Sequence, residues 1–82
     1  MAEKYPLSML SVGSSAIIKS SNDTHSMKRR LLDLGFSAGA KVKCIQSAPN
    51  GDPIAYSIRG TIIALRNETA QKIIVGNIER DD

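Results

Sequence analysis

The chain has little of the chemistry on which most enzymes and metal proteins depend. Its 82 residues include one histidine and one cysteine. The single cysteine, Cys44, excludes an internal disulfide and fits a reducing compartment. His25 and Cys44 cannot complete the roughly four-ligand set of a zinc site, and a Cys44 nucleophile would have only His25 as its imidazole base. We therefore predict no enzyme, no catalytic residue and no cofactor, and leave His25 and Cys44 as candidate ligands for a divalent ion shared between two copies.

Aromatic residues and excess charge are also scarce. The chain has two tyrosines, one phenylalanine and no tryptophan, and its net charge is +3. Proteins that bind single-stranded nucleic acid combine aromatic stacking platforms with strongly basic grooves. We therefore predict no nucleic-acid partner.

Long hydrophobic runs are missing as well. The longest, such as residues 62–65, fall far short of the roughly 20 apolar residues needed to cross a bilayer. No charged-then-apolar leader opens the sequence. We expect one domain over residues 1–82 that does not itself span a membrane and lies in the cytoplasm, with its core over about residues 7–75 and with frayed ends at Met1 to Lys4 and after Glu79.

One helix stands out in the sequence. Met27, Leu31 and Leu34 recur at four- and three-residue spacing, which predicts a helix over about Thr24 to Leu34 with an apolar face toward the core. Asn22 or Asp23 is the expected N-cap.

The end of this helix is unusually clear. Gly35 stands where a left-handed residue is needed, and Phe36 follows it in a position to pack back on Leu31, which is the pattern of a Schellman motif. Gly39 is a second turn residue before the next strand.

The rest of the sequence favours short strands. We place them over residues 16–19, 41–47, 54–59, 61–65 and 73–75, with tight turns at residues 49–53 and 59–61 and a short helical turn at residues 67–71. Gly51 is free to adopt positive φ, and Pro53 is acceptable at the start of a strand. The element count predicts a mainly β fold, a small antiparallel barrel of about five strands that removes its edges by closing on itself.

One flank of the predicted helix is a candidate partner surface. Lys28 and Arg29 are basic, and Leu32 falls off the apolar stripe, so it should be partly exposed. Either these residues form an ordinary solvated face or they dock an acidic partner.

Three segments carry a resemblance to a known family. Residues 31–39 hold a leucine-glycine helix end, residues 51–54 read Gly-Asp-Pro-Ile, and residues 59–66 complete a strand pair that ends in Ala-Leu-Arg. In this order they resemble the FeoA family of ferrous iron transport proteins, over about residues 7–75. The residues that match the pattern are structural: Leu31, Leu34, Gly35, Gly39, Gly51, Asp52, Pro53, Gly60, Leu65 and Arg66.

The resemblance implies a fold and a function. The fold would be an SH3-like barrel. The function would be that of a non-enzymatic cytoplasmic accessory or regulator of ferrous iron uptake, acting on the FeoB membrane transporter and its GTPase domain, as a monomer or weak homo-oligomer. The alternative is a metal-binding sensor or carrier similar to the SH3-like domain of DtxR-type repressors.

Overall fold

Six antiparallel strands form one sheet in the structure, a computed structural model that describes residues 3–80. In spatial order the sheet reads β1-β6-β2-β3-β4-β5. The strands are β1 (Tyr5–Pro6), β2 (Ser14–Ser21), β3 (Lys41–Ser47), β4 (Ile54–Ile58), β5 (Thr61–Leu65) and β6 (Ile73–Arg80), with helices α1 (His25–Leu34) and α2 (Asn67–Ala70) and a 3₁₀ turn at Leu7–Met9. The mainly β fold is confirmed, and β1 is a sixth strand that the sequence did not predict.

The predicted end of the last strand is wrong. β6 runs to Arg80 instead of stopping at Val75, because Ser14 and Ser15 of β2 pair with Arg80 and Glu79. These last residues are exposed, so backbone pairing rather than burial keeps them in the sheet. Residues 1, 2, 81 and 82, where fraying was predicted, lie outside the described residues.

The sheet curls around one hydrophobic core. Every strand except the short β1 supplies buried side chains, and α1 adds Leu31, which is 2% exposed. The buried apolar residues are Leu7, Leu10, Ala16, Ile18, Leu31, Phe36, Ala40, Val42, Cys44, Ile54, Tyr56, Ile58, Leu65, Ala70, Ile73 and Val75. The core therefore draws on residues from Leu7 to Val75.

The N-terminus of α1 is capped one residue later than predicted. The Thr24 hydroxyl accepts the Met27 N–H at 3.3 Å, while Asp23 accepts the N–H of Thr24 at 2.8 Å. Thr24 is the N-cap because it lies three residues before Met27, whose N–H has no acceptor within the helix.

The C-terminus of α1 is a Schellman motif, as predicted. Gly35 has φ of 104°, its N–H donates to Leu32 O at 3.0 Å, and the N–H of Phe36 donates to Leu31 O at 2.9 Å. Phe36 and Leu31 are both buried in the core. The expectation that Leu34 also faces the core is wrong, since it is 39% exposed: Leu31 and Phe36 already fill the core at this point, and Leu34 is left at the rim.

The turn between β4 and β5 connects back to the end of α1. Arg59 and Gly60 have φ of 49° and 79°, the two positive values of a type I′ hairpin turn. The Arg59 side chain donates to Gly35 O at 3.3 Å and to Ser37 Oγ at 3.0 Å. A strained arginine at the hairpin tip thus ties that tip to the helix end.

The two edges of the sheet do not pair with each other. Within residues 3–80, β1 pairs only with β6, and β5 pairs only with β4. The expectation that the barrel removes its edges by closing is therefore wrong for β5, which keeps one open side.

Candidate functional site

A cavity of about 310 Å³ lies between α1 and the end of β2. Its inner wall is apolar and buried, formed by Ile18, Leu31 and Phe36. The Schellman turn brings Phe36 back beside Leu31, so the glycine-stopped helix end builds this wall. The lining residues are Ile18, Ser20, Ser21, Lys28, Leu31, Leu32, Phe36 and Ala38.

The rim of the cavity carries two of the residues singled out from the sequence. Lys28 and Leu32 are four positions apart on α1 and therefore share one face of the helix, and both line the cavity. Leu32 is 56% exposed, as the periodicity predicts. Arg29 is exposed on α1 but does not line the cavity.

One polar atom in the cavity wall lacks a partner. The Ser21 hydroxyl is buried and makes no hydrogen bond with any of the described residues. A buried hydroxyl without a partner costs free energy that a bound group could recover by hydrogen bonding. The cavity thus combines an apolar floor, one cation and one free hydroxyl, which is suited to an apolar side chain next to a carboxylate.

The two candidate metal ligands are in unlike environments. His25 is the exposed first residue of α1, whereas Cys44 lies in β3, is 1% exposed and is a free thiol in the core. Burial raises the pKa of the Cys44 thiol, which keeps it protonated rather than available as a thiolate ligand. Over residues 3–80 the structure holds no group of three or more His, Cys, Asp or Glu side chains placed to bind a metal ion.

The Gly51-Asp52-Pro53 segment has a structural role that the sequence did not reveal. Gly51 has φ of 85°, and Asp52 Oδ1 accepts the N–H of Asn67, the first residue of α2, at 3.0 Å. Because α2 has no side-chain cap of its own, Asp52 supplies that cap from a loop 15 residues earlier in the chain.

Sequence reasoning found the rim of the cavity and the Leu31–Phe36 part of its inner wall but missed the part that β2 supplies. Helical periodicity identified Leu32, yet nothing in the local pattern brings Ile18 and Ser21 of β2 beside α1. Neither helix in the part of the chain described here has the length and apolar character needed to cross a membrane.

The six-stranded curled sheet, with one helix after the long second strand and a short helix before the last strand, is that of a small SH3-like barrel domain. The chain belongs to the FeoA family, whose domain matches residues 5–77. This confirms the resemblance drawn from the three sequence segments.

Two curated relatives are similar over most of this chain. A Porphyromonas gingivalis protein, described as a fusion of Fe(2+) transport protein A with the Fe(2+) transporter FeoB, is 36% identical over 84% of this chain, which spans 8% of that protein. A putative Fe(2+) transport protein A of Methanocaldococcus jannaschii is 33% identical over 92% of this chain and 89% of its own length.

Solved structures show the same fold. A Stenotrophomonas maltophilia FeoA, described as a prokaryotic SH3 domain protein complexed with zinc, superposes with a TM-score of 0.83 at 32% identity, covering 100% of this chain and 99% of that one. The T. acidophilum repressor IdeR matches at a TM-score of 0.78 and 20% identity, over 89% of this chain and 33% of its own. At that identity the likeness shows the fold alone.

Proposed function

We propose that this protein is a non-enzymatic, cytoplasmic accessory of ferrous iron uptake that binds a FeoB-type transporter at its GTPase domain. The observation that carries the proposal is the Porphyromonas gingivalis fusion, in which a domain 36% identical to this chain is joined to FeoB. Two domains that are fused in one organism commonly work close to each other. Where the two are separate proteins, they can stay close by binding to each other.

The cavity beside α1 is the surface that we assign to this contact. Leu32 is exposed at its rim and Lys28 provides a positive charge there. Interface affinity is concentrated in a few apolar anchors that fill pockets, with charged groups around them that orient the partner. An apolar side chain of the transporter would enter between Leu31 and Phe36, and a neighbouring carboxylate would pair with Lys28.

A titration tests the binding itself. Labelled protein is mixed with the transporter's soluble GTPase domain, and separately with the intact transporter in lipid nanodiscs. We expect saturable binding to at least one of the two. No binding to either, at protein concentrations up to about 0.5 mM, would rule out direct association.

Charge-matched variants test the surface. Lys28→Glu and Leu32→Glu should each weaken binding by about tenfold or more, with thermal stability nearly unchanged because both side chains are exposed. Arg29→Glu makes the same charge change on the same helix, outside the cavity, and should weaken binding less. Equal losses for Lys28→Glu and Arg29→Glu would show a general electrostatic effect and overturn the assignment of the cavity.

A metal carrier is the second candidate, and the zinc complex of the Stenotrophomonas maltophilia relative favours it. In this chain the ion would have to be shared between copies through exposed groups such as His25, because Cys44 is enclosed in the core. Anaerobic calorimetry with ferrous and zinc ions separates the candidates. Stoichiometric uptake that is lost in His25→Ala would favour the carrier.

A further inference from the structure

The open side of β5 is a second surface, separate from the cavity at Lys28. In residues 3–80, β5 has β4 as its only strand neighbour. A strand at a sheet edge presents a row of backbone N–H and C=O groups that can pair with another chain.

The hairpin register identifies these outward groups. A two-residue type I′ turn is closed by a hydrogen-bonded pair, here Ile58 with Thr61. Hydrogen-bonded and non-hydrogen-bonded pairs alternate along an antiparallel ladder. Ile62 and Ala64 therefore occupy the non-bonded positions, and their N–H and C=O groups point away from β4.

A backbone hydrogen bond of β3, two strands away from β5, agrees with this alternation. Cys44 O accepts the Gly13 N–H at 2.8 Å on the β2 side of β3, so the Cys44 pair with Tyr56 is a non-bonded one. Tyr56 accordingly directs its own backbone groups toward Ile63 of β5, which leaves Ile62 and Ala64 facing outward.

This edge lacks three of the features that commonly prevent strand pairing. The sequence of β5, Thr-Ile-Ile-Ala-Leu, contains no lysine and no proline, and its pairing with β4 shows no bulge. Ile62 is 67% exposed. The opposite edge, β1, has only two residues, one of which is Pro6, so it is protected in the way that natural edges commonly are.

A groove of about 360 Å³ runs between β5 and α1. Leu34, Met27 and Ile63 give it an apolar floor, and among the described residues Arg30 and Arg66 are the only charged ones that line it. Within the described residues, neither arginine makes a salt bridge or a side-chain hydrogen bond. The groove is therefore apolar at its base and positive at its sides.

We propose that β5 and this groove bind an extended, acidic segment of another protein, which adds to the sheet as a further strand beside β5. The backbone of the segment would pair with Ile62 and Ala64, its apolar side chains would contact Leu34, and its carboxylates would face Arg30 and Arg66. Extended peptides that join an exposed sheet edge are bound in this way, with affinity from the backbone and specificity from alternate side chains. This proposal goes beyond transporter binding through Lys28 and Leu32. It does not depend on whether the protein binds the transporter.

Charge decides between an acidic segment and a second copy of this chain. Pairing two β5 edges about a two-fold axis would bring Arg30 and Arg66 of one copy toward those of the other. Like charges placed together at an interface disfavour association, whereas a segment with glutamate or aspartate side chains neutralises both arginines.

The test uses the whole chain and a peptide of about eight residues that alternates valine and glutamate, observed by amide chemical shifts and amide hydrogen exchange. We expect shift changes and slowed exchange at Ile62 and Ala64, and affinity that falls with added salt. A matched peptide with lysine in place of glutamate should bind at least about tenfold more weakly.

Two pairs of variants test the geometry. Ala64→Pro removes an outward N–H without removing a bond to β4 and should weaken binding about tenfold, whereas Ala64→Val keeps the N–H and should not. Arg30→Glu should weaken binding of the glutamate peptide, and Arg29→Glu, its neighbour outside the groove, should do so less. If Ala64→Pro does not fold, the comparison of Arg30→Glu with Arg29→Glu alone tests whether the peptide lies in the groove.

Three results would overturn the proposal. The first is unchanged shifts at Ile62 and Ala64 with the glutamate peptide present up to about 5 mM. The second is equal binding of the two peptides. The third is a dimer of this chain that Ile62→Lys dissociates, because a second copy would then occupy the edge.

Discussion

Replacing Gly35 by alanine is the sharpest test of how the helix end is built. Gly35 has φ of 104°, and a left-handed backbone costs a residue with a Cβ about 1–2 kcal/mol. The new Cβ would also lie 3.1 Å from Arg59 Cδ, so the arginine must move. Its two hydrogen bonds, to Gly35 O and Ser37 Oγ, are exposed and together contribute about 0.5–1 kcal/mol.

The sum predicts that Gly35→Ala lowers the free energy of unfolding by about 2 kcal/mol, or Tm by roughly 8–16 °C for a domain of this size. Thermal and urea unfolding followed by circular dichroism would measure the loss. Gly35→Val should lose more, because a β-branched residue is still less tolerant of positive φ.

A double-mutant cycle separates the two contributions. In an Arg59→Ala background, Gly35→Ala should cost only the backbone part, about 1–2 kcal/mol, which is less than in the wild-type background by the contribution of the two Arg59 hydrogen bonds. Arg59→Ala is a fair background because alanine meets the same strain at φ of 49° as arginine does. Equal costs in both backgrounds would refute the contact with Arg59, and a cost below about 0.5 kcal/mol would refute the left-handed helix end.

Two further predictions concern the α2 cap and alkaline pH. Asp52→Ala should lower the free energy of unfolding by about 1 kcal/mol in urea titrations, since it removes the acceptor of the Asn67 N–H; Asp52→Asn keeps an acceptor and should lose less, and equal losses would contradict the cap. Burial raises the pKa of both Cys44 and Tyr56, and the negative charge of ionised Cys44 raises the pKa of Tyr56 further. Above the ordinary thiol pKa of 9.0, the folded state therefore binds more protons than the unfolded chain. The free energy of unfolding should then fall as the pH rises. In Cys44→Ala the fall should begin nearer the ordinary tyrosine value of 10.0, and stability that stays constant up to about pH 11 would contradict this reasoning.

Local chemistry explains what the sequence predicted correctly. Gly35 at the end of an apolar periodic segment leaves few conformations other than a left-handed helix end, and strict alternation in residues 54–58 leaves little but a half-buried strand. The Arg59-Gly60 turn was predicted for the same reason, since glycine between two strands favours a tight reversal. At these places a few neighbouring residues determine the structure.

The elements that were missed depend on distant partners. β1 has two residues, too few to show alternation, and exists because Tyr5 pairs with Val75. The second half of β6 is exposed and mostly polar and is held by β2. Neither could be inferred from its own residues, because what stabilises each lies elsewhere in the chain.

The residues of the candidate site also divide into those that local sequence predicts and those that only the folded sheet brings together. Leu32 was predicted at the surface from helical periodicity alone. Ser21 and Ile18 were not predicted, because only the folded sheet brings β2 beside α1. The open edge of β5 was hidden for a different reason: a count of strands does not reveal whether the first and last strands of the sheet meet.

The place of β6 in the sheet also sets the order in which the fold can be completed. β6 follows every other element in the sequence, yet it lies between β1 and β2, the two strands nearest the start. During synthesis β2, β3, β4 and β5 can pair as they emerge, because they are neighbours in both sequence and space. β1 and the side of β2 that does not pair with β3 must wait for β6. The ribosome has therefore made nearly the whole domain before the β2–β6 pairing, the largest in the sheet, can form.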